Sequence, residues 1–170
     1  MKALFITAPE NFRDEEYFMP KDILKSAGVE VVTASTKIGH LNGKLGGVTK
    51  SDITIGDVNY KDYDLATFIG GPGASVFFDN STAHAIADNM LKDNKIVSAI
   101  CIAPVTLARA GILKNKKATV FIDGKDDLTK NGAEYIETKT DVIIDGNIIT
   151  APGPEVAEKF GRILLKAIQK

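Results

Sequence analysis

Short, continuous apolar runs alternate along this chain with longer segments whose apolar positions recur at helical spacing. Lys2 to Ala8 is such a run, as expected of a strand covered on both faces in a parallel sheet. Asp14 to Ala27 follows, with Met19, Ile23, Leu24 and Ala27 near helical spacing and Gly28 placed to end the helix. Val29 to Ser35 reads as the next strand, which completes a βαβ unit with a right-handed crossover. From Thr36 to Asp57 periodicity fades among Gly39, Gly43, Gly46, Gly47 and Gly56, which predicts a hairpin-like excursion at a sheet edge. Leu65 to Ile69 reads as a strand that runs straight into Gly70-Gly71-Pro72-Gly73. Ser81 to Asp93 carries Ala83, Ile86, Ala87, Met90 and Leu91 on one face and predicts an amphipathic helix with Ser81 as its N-cap.

Lys95 to Ile100 is another buried strand ending at Cys101, with helix formers from there to Ala110 and Gly111 as the stop. Ala118 to Ile122 reads as a strand. Val142 to Asp145 and Ile148 to Ala151 flank Gly146-Asn147, a hairpin signal. A final helix from about Glu155 places Val156, Phe160, Ile163, Leu164, Ala167 and Ile168 on one face. The pattern predicts one α/β domain over residues 1–170, a three-layer sandwich with helices on both faces of a mostly parallel sheet.

Composition narrows the function classes. At 170 residues, 44% hydrophobic and 25% charged, the chain can build a core without a staple. Its net charge of −1 offers no basic excess for nucleic acid. A single cysteine excludes an internal disulfide and a thiolate-built zinc site. The apolar start is too short for a signal peptide or membrane span, so the expected location is the cytoplasm.

In open α/β sheets, ligands bind at the carboxyl ends of strands, near a switch in strand order. Pro9 to Glu16, Gly70 to Ser75, and Cys101 all leave strands at that edge. Cys101 sits in a tight strand-to-helix turn with Ala99 and Ala103 two residues to either side, a variant of the small-residue nucleophile elbow. A helix start behind the sulfur is expected to lower its pKa. The alternative is a small buried hydrophobe at the end of a strand. Gly70-Gly71 matches no nucleotide-binding motif, but backbone N–H groups there can face an oxyanion. Glu10, Asp14, Glu15 and Glu16 suit a helix start. Pro20 removes the N–H that would pair with the Glu16 carbonyl, an irregularity that can turn Glu16 inward. His84 reads as a boundary residue, and His40 has no partner at metal-ligand spacing, so no metal is expected.

Taken together, Ala99-Ile100-Cys101 with Pro104, Gly70-Gly71-Pro72-Gly73, and Arg13-Asp14-Glu15-Glu16 before Pro20 resemble the ThiJ/PfpI superfamily, which includes the Parkinson-disease protein deglycase and PfpI-type intracellular proteases. Lys125-Asp126-Asp127-Leu128 and Asp145-Gly146-Asn147 add to the likeness, which spans Met1 to the final helix. The resemblance implies a flavodoxin-like, class I glutamine amidotransferase-like fold. It also implies Cys101 as nucleophile, Glu16 as a buried carboxyl against the sulfur, and the N–H groups of Gly71 and Ile102 as an oxyanion hole. It implies a homo-oligomer of two or more copies and no cofactor.

The sequence departs from the PfpI triad at two positions. Ile102 stands where those members carry His, and Ser75 where they carry Glu. About Phe121 stands where the human-type branch keeps its His. A site of thiolate, carboxyl and apolar wall favours a glyoxalase or deglycase acting on reactive 2-oxoaldehydes or their adducts. The alternatives are an intracellular cysteine peptidase, or a stress-responsive redox sensor or chaperone working through oxidation of Cys101.

Overall fold

The first strand, β1 (Lys2–Ile6), shows why the architecture has two cores. Successive side chains of a strand point to opposite faces. Ala3 and Phe5 accordingly join one buried cluster, and Leu4 and Ile6 the other. The computed structural model describes all residues from Met1 to Lys170. After β1 come β2 (Glu10–Phe12), α1 (Asp14–Ser26), β3 (Glu30–Ser35), β4 (Gly39–Gly43), β5 (Val48–Ser51), β6 (Ile53–Thr54) and β7 (Leu65–Phe68). The second half holds α2 (Ser81–Lys92), β8 (Ile96–Ile100), α3 (Pro104–Arg109), β9 (Lys117–Ala118), α4 (Lys125–Lys130), β10 (Glu134–Tyr135), β11 (Ile143–Asp145), β12 (Ile148–Ala151) and α5 (Ala157–Ile168).

Seven strands form the central sheet in the order β11-β12-β8-β7-β1-β3-β6, parallel except for the antiparallel pair β11–β12. One core cluster contains Tyr17 and Leu24 of α1 with Phe160 and Leu164 of α5. The opposite cluster contains Ile86 and Met90 of α2, Val105 and Leu107 of α3, and Leu128 of α4. This is the expected three-layer, flavodoxin-like sandwich. From β1 the chain steps outward to β3, then returns to place β7 on the other side of β1. Connections therefore diverge between the carboxyl ends of β1 and β7, which opens a crevice there.

Several local readings need correction. The excursion is a β4–β5 hairpin, but β2 joins it in a separate three-stranded sheet, and β6 returns to edge the main sheet. The α2 cap is Asn80, whose side chain accepts from the Ala83 N–H at 2.9 Å, so Ser81 is already inside the helix. Of the strand expected over 118–122 only Ala118 is in a strand, together with Lys117 before it, paired to β10 in a sheet of two, and Ile122 opens a 3₁₀ turn. The last helix begins at Ala157, because Pro154–Val156 form a 3₁₀ turn first. No helix is long and apolar enough to cross a membrane.

Candidate active site

Three backbone segments meet at the crevice. The loop after β1 leads through Phe12 into α1, and its Arg13 N–H donates to the Gly70 carbonyl at 3.0 Å. The turn after β7 supplies Gly70 and Gly71. The turn after β8 is Cys101 itself, tied on both sides: its N–H donates to Ala151 O at 2.9 Å, and its carbonyl accepts from Phe121 N–H at 2.7 Å. These bonds hold Cys101 at φ +62°, a left-handed conformation that costs a residue with a Cβ about 1–2 kcal/mol. The strained elbow anticipated from the flanking alanines is thus present.

Glu16 is completely buried, as is Tyr17 beside it. Gly70 shows how tightly the carboxyl and the cysteine converge. A Cβ at Gly70 would stand 2.5 Å from Glu16 Oε2 and 2.6 Å from Cys101 Cβ, so only glycine leaves room for both. Neither Glu16 oxygen has a hydrogen bond of normal geometry. What faces them is the Cys101 thiol and the Gly70 N–H. Burial pushes the Glu16 carboxyl up to about 8, against the pull of the thiol, the Arg13 charge and the Gly70 N–H.

Burial, then the charge on Glu16, push the Cys101 thiol up to about 12, while the N–H groups of Gly71 and Ile102 pull it down. The expected lowering by a helix start is not found, because α3 has only six residues and begins at Pro104, three residues beyond the sulfur. Coupling reframes the pair. Part of the rise in Cys101 comes from an ionised Glu16, so a carboxyl that keeps its proton makes the thiolate easier to form. Once the pair has lost one proton, sulfur and carboxyl compete for the proton that remains.

Gly71, at φ +93°, fits against the loop after β1: a Cβ there would lie 2.5 Å from Arg13 N and 2.6 Å from Asn11 O. Its N–H and that of Ile102 face the sulfur. Asp14 and Glu15, read as helix-start charges, have definite partners. Asp14 accepts from Leu45 N–H at 2.8 Å and Gly47 N–H at 2.6 Å, which pins the tip of the β4–β5 hairpin to α1. Glu15 takes both arms of Arg13 at 2.8 and 3.1 Å. Pro20 sits where α1 crosses α5 against Gly161, a packing role in addition to freeing the Glu16 carbonyl.

A cleft of about 400 Å³ opens over Cys101, lined by Arg13, Lys44, Gly71, Ile102, Phe121, Asp123 and Glu155, among others. The wall is therefore charged as well as apolar, which the sequence reading missed. Glu155 follows β12 of the central sheet, whereas Asp123 lies beyond β9, which belongs to the separate two-stranded sheet. Phe121, 41% exposed, forms part of the wall. Ser75 is not in the lining, and its hydroxyl donates to the Pro72 carbonyl. His84 bonds the Phe78 carbonyl, and His40 lies exposed on β4. No three His, Cys, Asp or Glu side chains converge on a point where a metal ion would be held.

The chain is similar to known proteins over nearly its whole length. The chain is 36% identical to a deglycase of Pyrococcus horikoshii, over 99% of this chain and the whole of that protein. It is 26% identical to a glutathione-independent glyoxalase of Caenorhabditis elegans, over 98% of this chain and 88% of that one. A solved ThiJ/PfpI domain protein of Brachyspira murdochii superposes with a TM-score of 0.95 at 32% identity, covering 99% of this chain and 96% of that chain. The sequence profile of the DJ-1/PfpI family matches residues 1–167, and with the elbow cysteine in place the chain belongs to that family.

Proposed function

We propose that this protein is a cysteine-dependent enzyme that converts 2-oxoaldehydes, or their early adducts with amines or thiols, to 2-hydroxy acids. The observation that carries the reading is the buried, otherwise unpartnered carboxyl of Glu16 against the thiol of Cys101. Sulfur adds to the aldehyde carbon to give a hemithioacetal, whose oxygen takes the proton from the thiol. The N–H groups of Gly71 and Ile102 stabilise that oxygen while it is charged. Glu16 then takes the proton from the former aldehyde carbon and returns one to the neighbouring carbonyl carbon, while the hemithioacetal hydroxyl proton passes to the neighbouring oxygen; the enediol so traversed leaves a thioester of the 2-hydroxy acid. Water cleaves the thioester and restores the thiol. No external oxidant or reductant is consumed, because one carbon is oxidised as its neighbour is reduced. An apolar-to-polar cleft of this size suits a small substrate. The names of the deglycase and glyoxalase relatives support the same chemistry.

A peptidase fits less well, because expelling an amine requires a proton donor at the leaving group and no histidine lines the cleft. A homo-oligomer is part of the proposal. Exposed Met19, Leu45 and Val48 lie on α1 and the hairpin that Asp14 pins beside the cleft, and light scattering returning a species of 18.2 kDa would refute it. The functional test offers methylglyoxal and casein to freshly reduced protein. Lactate formed by the wild type and not by Cys101→Ala, with casein intact, supports the reading. Casein cleavage, or no turnover together with selective gain of two oxygens at Cys101 in mild peroxide, favours the peptidase or the sensor instead.

A further inference from the structure

The reaction above has a second half, and Glu16 is poorly placed for it. A thioester on Cys101 needs a base to take a proton from the attacking water, and Glu16 is sealed beneath the sulfur with no exposure to solvent. The base must stand in the cleft, within reach of water. Four charged groups line the cleft: Arg13, which is paired with Glu15, and Lys44, Asp123 and Glu155, whose side chains form neither an ion pair nor a hydrogen bond. Asp123 and Glu155 are the carboxylates among them, and both are exposed. Glu155 is set apart by its surroundings. Its carboxylate folds back over the chain. A Cβ at Gly153 would stand 3.0 Å from Glu155 Oε2 and 4.0 Å from the Phe121 ring, so the glycine leaves a slot that carboxylate and ring share. Gly153 has φ 170°, which any residue can adopt, so it is space and not backbone geometry that the glycine provides. Asp123 also lines the cleft, but has no such slot.

We propose that Glu155 is the general base for the hydrolytic step. It takes a proton from water as the oxygen bonds to the thioester carbon, the carbon–sulfur bond breaks, and the same proton returns to the leaving sulfur. Atoms and charge balance with water as the only co-reactant. The inference rests on the aldehyde chemistry proposed above, and the experiment separates the two. Intact-mass spectrometry and lactate release are followed after mixing methylglyoxal with wild type, Glu155→Gln, Glu155→Asp and Asp123→Asn. Glu155→Gln is expected to release lactate roughly 10²-fold or more slowly and to accumulate the covalent adduct on Cys101, with Glu155→Asp partly restored and Asp123→Asn accumulating no adduct. Turnover by Glu155→Gln within about twofold of wild type, or equal accumulation of the adduct in Asp123→Asn, overturns the assignment of Glu155 while leaving the aldehyde reading intact. Wild type that forms neither adduct nor lactate overturns both.

Discussion

At Glu16 the fold holds a carboxyl away from water and so couples its proton to stability. Unfolded, the group titrates near its ordinary 4.5, and folded it titrates near 8. Between those values the folded state keeps a proton that the unfolded chain has released. Stability is therefore fullest below the lower value and falls as pH rises through the window, by up to about 1.4 kcal/mol per pH unit. Urea midpoints of wild type and Glu16→Gln at pH 5 and pH 8 isolate this effect, since other groups cancel. The advantage of wild type over the variant should shrink with rising pH, and a constant difference would mean that Glu16 is ionised when folded. Cys101 adds a backbone cost. With φ at +62°, Cys101→Gly should be more stable than Cys101→Ala by about 1 kcal/mol in the same assay, the reverse of the order in regular structure. At the site, Cys101 was legible from its place at a strand end, and Glu16 from the irregularity at Pro20 together with family likeness. Lys44, Asp123 and Glu155 were not, because charged residues in loops look alike until the fold points some of them into one space.

Among elements, α1 and α5 cross at close range. A Cβ on Gly161 would lie 2.8 Å from Pro20 Cα and 2.9 Å from Ile23 Cδ1, so the helices touch nearly backbone to backbone. Alanine is the better helix former by about 1 kcal/mol, yet overpacking costs about 1–3 kcal/mol. Gly161→Ala should therefore destabilise by about 1 kcal/mol, seen as a lower urea midpoint at unchanged slope. The crossing also anchors α1, which carries Glu16 one turn before Pro20. Long elements with a clear period were predicted within a few residues: α1 as 14–27 against Asp14–Ser26, and α2 as 81–93 against Ser81–Lys92. The two-residue strands β6 and β10 escaped, since a pair of residues has no period to detect, and β9 was met only at Ala118. The Asn80 cap was misplaced by one position because both Asn and Ser are good caps and sit side by side.

For the whole molecule, layers and sheet direction follow from strands that are apolar on both faces, which demand helices above and below. Strand order does not follow from the pattern, yet it decides function here. Only the return of β7 to the far side of β1 brings Gly70, Cys101 and the start of α1 to one crevice. This convergence sets the thiol of Cys101 against the carboxyl of Glu16, the pair proposed to isomerise an aldehyde adduct. Steady-state methylglyoxal turnover by wild type, Glu16→Gln and Glu15→Gln, with iodoacetamide labelling of Cys101 in each, tests that role most directly. Glu16→Gln is expected to lose roughly 10²-fold or more in turnover while Cys101 still labels, and Glu15→Gln to stay near wild type because its carboxylate only pairs with Arg13. Equal effects of the two substitutions, or full turnover in Glu16→Gln, would contradict it.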